Sequence, residues 1–174
     1  MKSPFEFLYK ATGAMAVACL AAIAGIVLAD VALRQFGGQV RGSDDLAGYA
    51  LVGTALLGLA PTYRMGEQIR VGLILERFTG NGRRMIELVA LVMGVVIVGW
   101  ATWWIGRFVY DSWRFHEIGT GLITTPLWIP QSLMLWGIGA LFLALVEDLI
   151  RVAAGKPASY MTVTHAEGEV ARYE

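Results

Sequence analysis

The sequence predicts an all-α integral membrane protein with four transmembrane helices and a short interfacial amphipathic helix between the second and third. Three observations carry that expectation. Hydrophobic residues make up 56% of the 174-residue chain and charged ones 16%, with a mean hydropathy of +0.58, more apolar surface than a water-soluble core can hide. Four runs of about 20 mostly apolar residues recur along the chain, the length a helix needs to cross about 30 Å of hydrocarbon with its backbone groups paired internally. Lysine and arginine, finally, are unevenly divided among the connections.

The first span is placed at about residues 11–33, where an uncharged run is closed by Asp30 and Arg34, four apart and able to pair at the membrane edge. Ala16-Val17-Ala18-Cys19 has some likeness to a lipoprotein cleavage box. Glu6 in the stretch that should be basic, and the apolar run continuing well past Cys19, favour a span instead. Cys19 then reads as a small packing residue. The second span, about 45–64, opens after Ser43-Asp44-Asp45, a cap-like start with acids at the positive end of the helix dipole, and stops at Arg64 just after Pro61. The third, about 86–108, is read as ending in Trp100, Trp103 and Trp104, whose amphipathic rings favour the headgroup level. The fourth, about 127–150, starts with Trp128 and Pro130, where a missing N–H costs little, and ends at Glu147, Asp148 and Arg151. These four form one membrane domain, residues 1–155, followed by a polar tail, 156–174, that lacks periodicity.

Between the second and third spans, Ile69, Leu73, Leu75 and Phe78 are interleaved with Arg70, Glu76 and Arg77. A helix lying in the interface plane accounts for this pattern better than a cytoplasmic extension of the second span packed on a partner. Gly80-Asn81-Gly82 breaks it before the third span.

Short loops rich in lysine and arginine stay cytoplasmic. Of the 14 such residues, Lys2, Lys10, Arg64, Arg70, Arg77, Arg83, Arg84, Arg151, Lys156 and Arg172 fall at the termini and in the second loop. Only Arg34, Arg41, Arg107 and Arg114 fall in the first and third. The expected topology is multi-pass in a bacterial inner membrane with both termini cytoplasmic. Lipids are therefore the expected surroundings, and a zero net charge without a basic block gives nucleic acid no purchase.

Little in the chain suggests chemistry, so it is not expected to be an enzyme, and no cofactor or metal is expected. One cysteine and two histidines make neither an internal disulfide nor a structural zinc site. His116 and His165 fall in a loop and in the tail, whereas a membrane haem needs axial histidines on its helices. Ion-coupled carriers place ionisable groups or broken helices near the midplane, and the span interiors here are free of such groups. Asp30, Glu147 and Asp148 sit at span ends, where pairing with Arg34 and Arg151 explains them. Gly119-Thr120-Gly121 reads as a turn, and Asp44 with Asp45 as capping. The spans do carry small residues at helical spacing. Ala14, Ala18 and Ala22 share one face of the first, with Ala21, Gly25 and Ala29 beside it, and Ala50, Thr54 and Gly58 repeat the pattern in the second. Such faces let helices approach closely in lipid, within this chain or against a partner subunit.

Several motifs in order resemble the small membrane subunit (DctQ-like) of tripartite ATP-independent periplasmic (TRAP) transporters. They are Asp44-Asp45-Leu46-Ala47, Leu57-Gly58-Leu59-Ala60, Tyr63-Arg64-Met65-Gly66, Ile69-Arg70-Val71, Ser112-Trp113-Arg114-Phe115 with Glu117, and Pro126-Leu127-Trp128-Ile129-Pro130-Gln131. The chain departs from many relatives in carrying Glu67-Gln68-Ile69 in place of Gly-His-Ile, and Gly72 in place of an acid. The resemblance implies a non-catalytic permease subunit of a sodium-coupled secondary transporter importing organic acids such as C4-dicarboxylates. Its implied partners are a large multi-span permease subunit of elevator type, whose scaffold it stabilises, and a periplasmic substrate-binding protein. With the first and third loops periplasmic, Arg41, Asp44, Asp45, Arg114, His116 and Glu117 become candidate contacts for the binding protein. Ala14, Ala18, Ala22, Gly25, Ala50, Thr54 and Gly58 become candidate packing faces for the large subunit. The alternatives are an autonomous small four-helix transporter and the membrane anchor of a redox complex.

Overall fold

The computed structural model describes residues 5–65 and 81–155. Its helices are α1 (Glu6–Gln35), α2 (Ser43–Leu57), α3 (Leu59–Met65), α4 (Asn81–Arg114) and α5 (Trp128–Ala153). Four segments are long and apolar enough to cross a membrane, Glu6–Gln35, Ser43–Met65, Arg84–Arg114 and Trp128–Ala153, the number and class that the sequence predicts. Among the described residues there is no strand, only an isolated bridge between Ile118 and Pro126. The expected interfacial helix, with Ile69, Leu73, Leu75 and Phe78, and the tail lie outside the described residues.

The helices lie side by side in an open row and not as a closed bundle: α1 packs on α2, α2 on α5 and α5 on α4, with only a light contact between α1 and α5. In consequence α5, with neighbours on both sides, is the most buried of the spans, and the outer helices α1 and α4 are the most exposed. The chain doubles back between neighbours, so the α1–α2 and α4–α5 loops share one end of the slab, the loop end. The first residues of α1 and α4 and the last of α3 and α5 share the other, the terminal end. Glycines set the helix spacing where backbones come closest. A Cβ at Gly137 of α5 would run into the Leu56 backbone of α2, and one at Gly53 would lie 3.2 Å from Cys19 Sγ of α1. Cys19 is thus a packing residue in mid-helix, as its setting in the sequence suggests.

α1 ends in a Schellman motif. Gly37 adopts φ +76°, the Gly37 N–H reaches the Arg34 carbonyl at 3.2 Å and the Gly38 N–H the Leu33 carbonyl at 2.9 Å. The second span is interrupted at Gly58, between α2 and α3, and ends at Met65, one residue past the Arg64 at which the sequence stops it. Pro61 has no N–H for the Leu57 carbonyl, which opens the ladder one turn earlier, after which the helix resumes through Met65. Three expectations need correction. Ser43, Asp44 and Asp45 make no side-chain cap: Gly42, at φ +75°, is the N-cap residue, and Asp45 is engaged elsewhere. Helix α4 runs on to Arg114, past the expected end of the third span, so Trp100, Trp103 and Trp104 lie within the helix and not at its last turn. Asp148, expected beside Arg151, turns inward to the Tyr63 hydroxyl, and Arg151 pairs with Glu147.

Candidate functional site

At the loop end two connections are clasped together. The Leu122 N–H donates to Asp45 Oδ2 at 2.8 Å, with Gly121 seated so closely under that carboxylate that a Cβ there would collide with it. Gly42 meets Ile123 in the same way. Asp30 holds the start of this region: its carboxylate pairs with Arg34 at 2.7 Å, as the sequence predicts, and also accepts the Val40 N–H at 2.9 Å. The α4–α5 loop is closed on itself by Gly119 N–H to the Thr125 carbonyl at 2.9 Å, Leu127 N–H to the Glu117 carbonyl at 3.0 Å, and Ser112 Oγ to Glu117 Oε2 at 2.6 Å. Asp44, Asp45 and residues 120–122 line a polar cleft of about 350 Å³.

The six residues singled out for contact with a binding protein all fall at this end, but they divide in two. Arg41, Asp44, Arg114 and His116 are exposed and project from the loop end, His116 at a left-handed φ of +54°. Asp45, half-buried, and Glu117, itself exposed, have their carboxylates engaged within the chain, one holding the two loops together and the other closing the α4–α5 turn.

The terminal end carries a second polar cluster that sequence reasoning missed. Glu147 accepts from Arg64 at 3.5 Å, from Arg151 at 3.4 Å and from the Tyr9 hydroxyl at 3.3 Å, while the Arg64 guanidinium stacks over the Tyr9 ring, 4.4 Å from its centre. Beside it Asp148, fully buried, accepts from the Tyr63 hydroxyl at 3.1 Å. Arg84 of α4 donates to the Val152 and Ala153 carbonyls at 3.1 and 3.0 Å at the end of α5, where Val152 also accepts the Gly155 N–H. Four helices, α1, α3, α4 and α5, are therefore tied at this end. Only the Glu147–Arg151 pair is visible as a helical spacing. The others join residues far apart in sequence, and the one available signal was that Tyr63-Arg64 stood in a motif already noted.

The small-residue faces part company. Ala14, Ala18, Ala22 and Gly25 are exposed, and nothing lies within 4 Å of a Cβ built at Gly25, because α1 turns Tyr9, Thr12 and Ala16 inward instead. Ala50, Thr54 and Gly58 are half-buried, with the Thr54 hydroxyl donating to the Ala50 carbonyl at 2.9 Å. Among the described residues no group of three or more His, Cys, Asp or Glu side chains could hold a metal ion.

Fold and polar sites together define a small helical membrane protein whose contacts organise its two ends and leave broad apolar faces uncovered. The family model described as the DctQ component of tripartite ATP-independent periplasmic transporters matches residues 23–155, and the chain belongs to that family. It is the small permease component of a TRAP transporter, a transport subunit by family. No curated protein and no solved structure matches it.

Proposed function

We propose that this chain is the stationary, non-catalytic partner of a large permease subunit in a sodium-coupled importer of organic acids such as C4-dicarboxylates. It sits in the bacterial inner membrane with both termini cytoplasmic, so that the terminal end faces the cytoplasm and the loop end the periplasm. The observation that carries this reading is the open row with its polar groups gathered at the two ends. A carrier needs ionisable groups or unwound backbone around a midplane site. Here the charged clusters lie at the ends, the interruption at Gly58 keeps right-handed helical backbone with its N–H still on the Thr54 carbonyl, and the middle is occupied by close-packed glycine and apolar contacts. A row of helices with an uncovered α1 face instead widens whatever it packs against, and a fixed frame of that kind resists tilting while a partner moves through the bilayer. At the loop end, Arg41, Asp44, Arg114 and His116 are the groups available to a binding protein, with Asp45 and Glu117 shaping the loops that present them.

The test is uptake by proteoliposomes containing the large subunit, this chain, or both, with the binding protein outside. Uptake is expected only with both membrane subunits present. Flux through vesicles holding this chain alone would overturn the reading. The docking role has its own arm: Asp44→Lys and Arg114→Glu, both at exposed positions, should lower uptake at limiting binding protein by several-fold, and unchanged uptake would discard it.

A further inference from the structure

Where α4 faces α5, Gly99 and Gly106 stand about two helical turns apart, Gly99 under the Phe142 ring and Gly106 beside Leu135. With Trp103 between them and Phe142 of α5 alongside, they form the floor and walls of a groove of about 500 Å³ that Arg107 closes towards the loop end. The groove is apolar but for two residues. The Thr102 hydroxyl is occupied by the Val98 carbonyl of its own helix at 2.7 Å. Arg107 is exposed and has no hydrogen bond or ion pair among the described residues. From Arg84, which caps α5 at the terminal end, to Arg107 the helix rises roughly 34 Å at about 1.5 Å per residue, slightly more than a hydrocarbon core of about 30 Å. Arg107 therefore stands at headgroup level, and the exposed Trp100, Trp103 and Trp104 lie just below it, as an aromatic belt does.

We propose that this groove binds one phospholipid of the leaflet at the loop end, its phosphodiester on the Arg107 guanidinium and an acyl chain laid past Gly106 between Trp103 and Phe142. Charge complementarity favours this occupant over a helix from a partner. A planar guanidinium matches a phosphate with paired N–H donors. An apolar helix in the same place would bury the arginine with nothing to neutralise it, which is costly in a medium of low dielectric constant. A phospholipid supplies an anion and an apolar chain at the spacing the groove offers. The proposal does not depend on which subunit carries substrate.

Native mass spectrometry tests it, on the full chain alone and in complex with the large subunit, each supplied with dioleoyl phosphatidylglycerol in detergent. One retained lipid per chain is expected in both preparations, and Arg107→Gln should cut its retention by about five-fold or more while Arg107→Lys keeps part of it. Gly106→Leu, which fills the groove, should abolish retention, with circular dichroism confirming the helices. Inorganic phosphate should not displace the lipid. Equal retention by Arg107→Gln would overturn the proposal, as would displacement by inorganic phosphate. So would a lipid held by the free chain but excluded from the complex, which would make the groove a subunit interface.

Discussion

Asp148 is a fully buried carboxylate near the end of an otherwise apolar helix, and the Tyr63 hydroxyl is one of the groups that make its burial tolerable. Removing a donor from a buried acceptor exposes the desolvation penalty of that acceptor. Tyr63→Phe is therefore expected to lower stability by about 1–3 kcal/mol, read from thermal unfolding of the purified chain in detergent. Tyr9→Phe should cost under about 1 kcal/mol, because Glu147 keeps Arg64 and Arg151. A loss for Tyr9→Phe as large as that for Tyr63→Phe would mean that the two carboxylates share their donors. Glycines give the opposite kind of contrast. Gly137→Ala places a methyl group against the Leu56 backbone and should cost about 1–3 kcal/mol by overpacking. Gly25→Ala meets nothing within 4 Å and should be neutral or slightly stabilising in the isolated chain. These differences were not readable in the sequence, where both are glycines at helical spacing in an apolar run.

Element boundaries record a competition between local signals and contacts across the fold. Uncharged runs of span length located all four membrane crossings, because lipid leaves the backbone no other way to be satisfied. Their ends were less legible. Tryptophans suggested that the third span closes near Trp104, yet α4 continues to Arg114, where Ser112 and Glu117 close its last turn. Ser43-Asp44-Asp45 has the composition of a cap, but the α4–α5 loop lies close enough for Asp45 to accept the Leu122 N–H, and a charge-assisted bond across two connections prevails over a local one. That bond makes a local prediction: Asp45→Ala should speed hydrogen exchange at the Leu122 amide by about ten-fold or more, with the amides of α2 beyond its first turn unchanged. Exchange at Leu122 as slow as in the native chain would show that the loop is held by its own closure, through Gly119, Thr125 and Leu127, and not by the clasp.

At the scale of the whole molecule, the row of helices explains why small-residue faces were easy to find and hard to assign. Spacing alone shows that Ala14, Ala18 and Ala22 share a face of α1, with Gly25 on the face beside it. Only the packing shows that α1 turns a different face, with Tyr9, Thr12 and Ala16, to the rest of the chain. The same holds for the predicted docking residues: the order of helices put all six at one end, and the contacts then withdrew Asp45 and Glu117 into structural work. The terminal cluster escaped notice because its members are brought together by folding from residues 9, 63, 64, 147 and 148. The central claim, that this chain supports a transporting partner through its uncovered α1 face, is tested most directly by co-purification. Ala18→Trp and Ala22→Trp, both at exposed positions, should leave the helical content and unfolding of the isolated chain unchanged while sharply reducing its recovery with an affinity-tagged large subunit. Recovery equal to that of the native chain would contradict the account, and would move the subunit contact to another face.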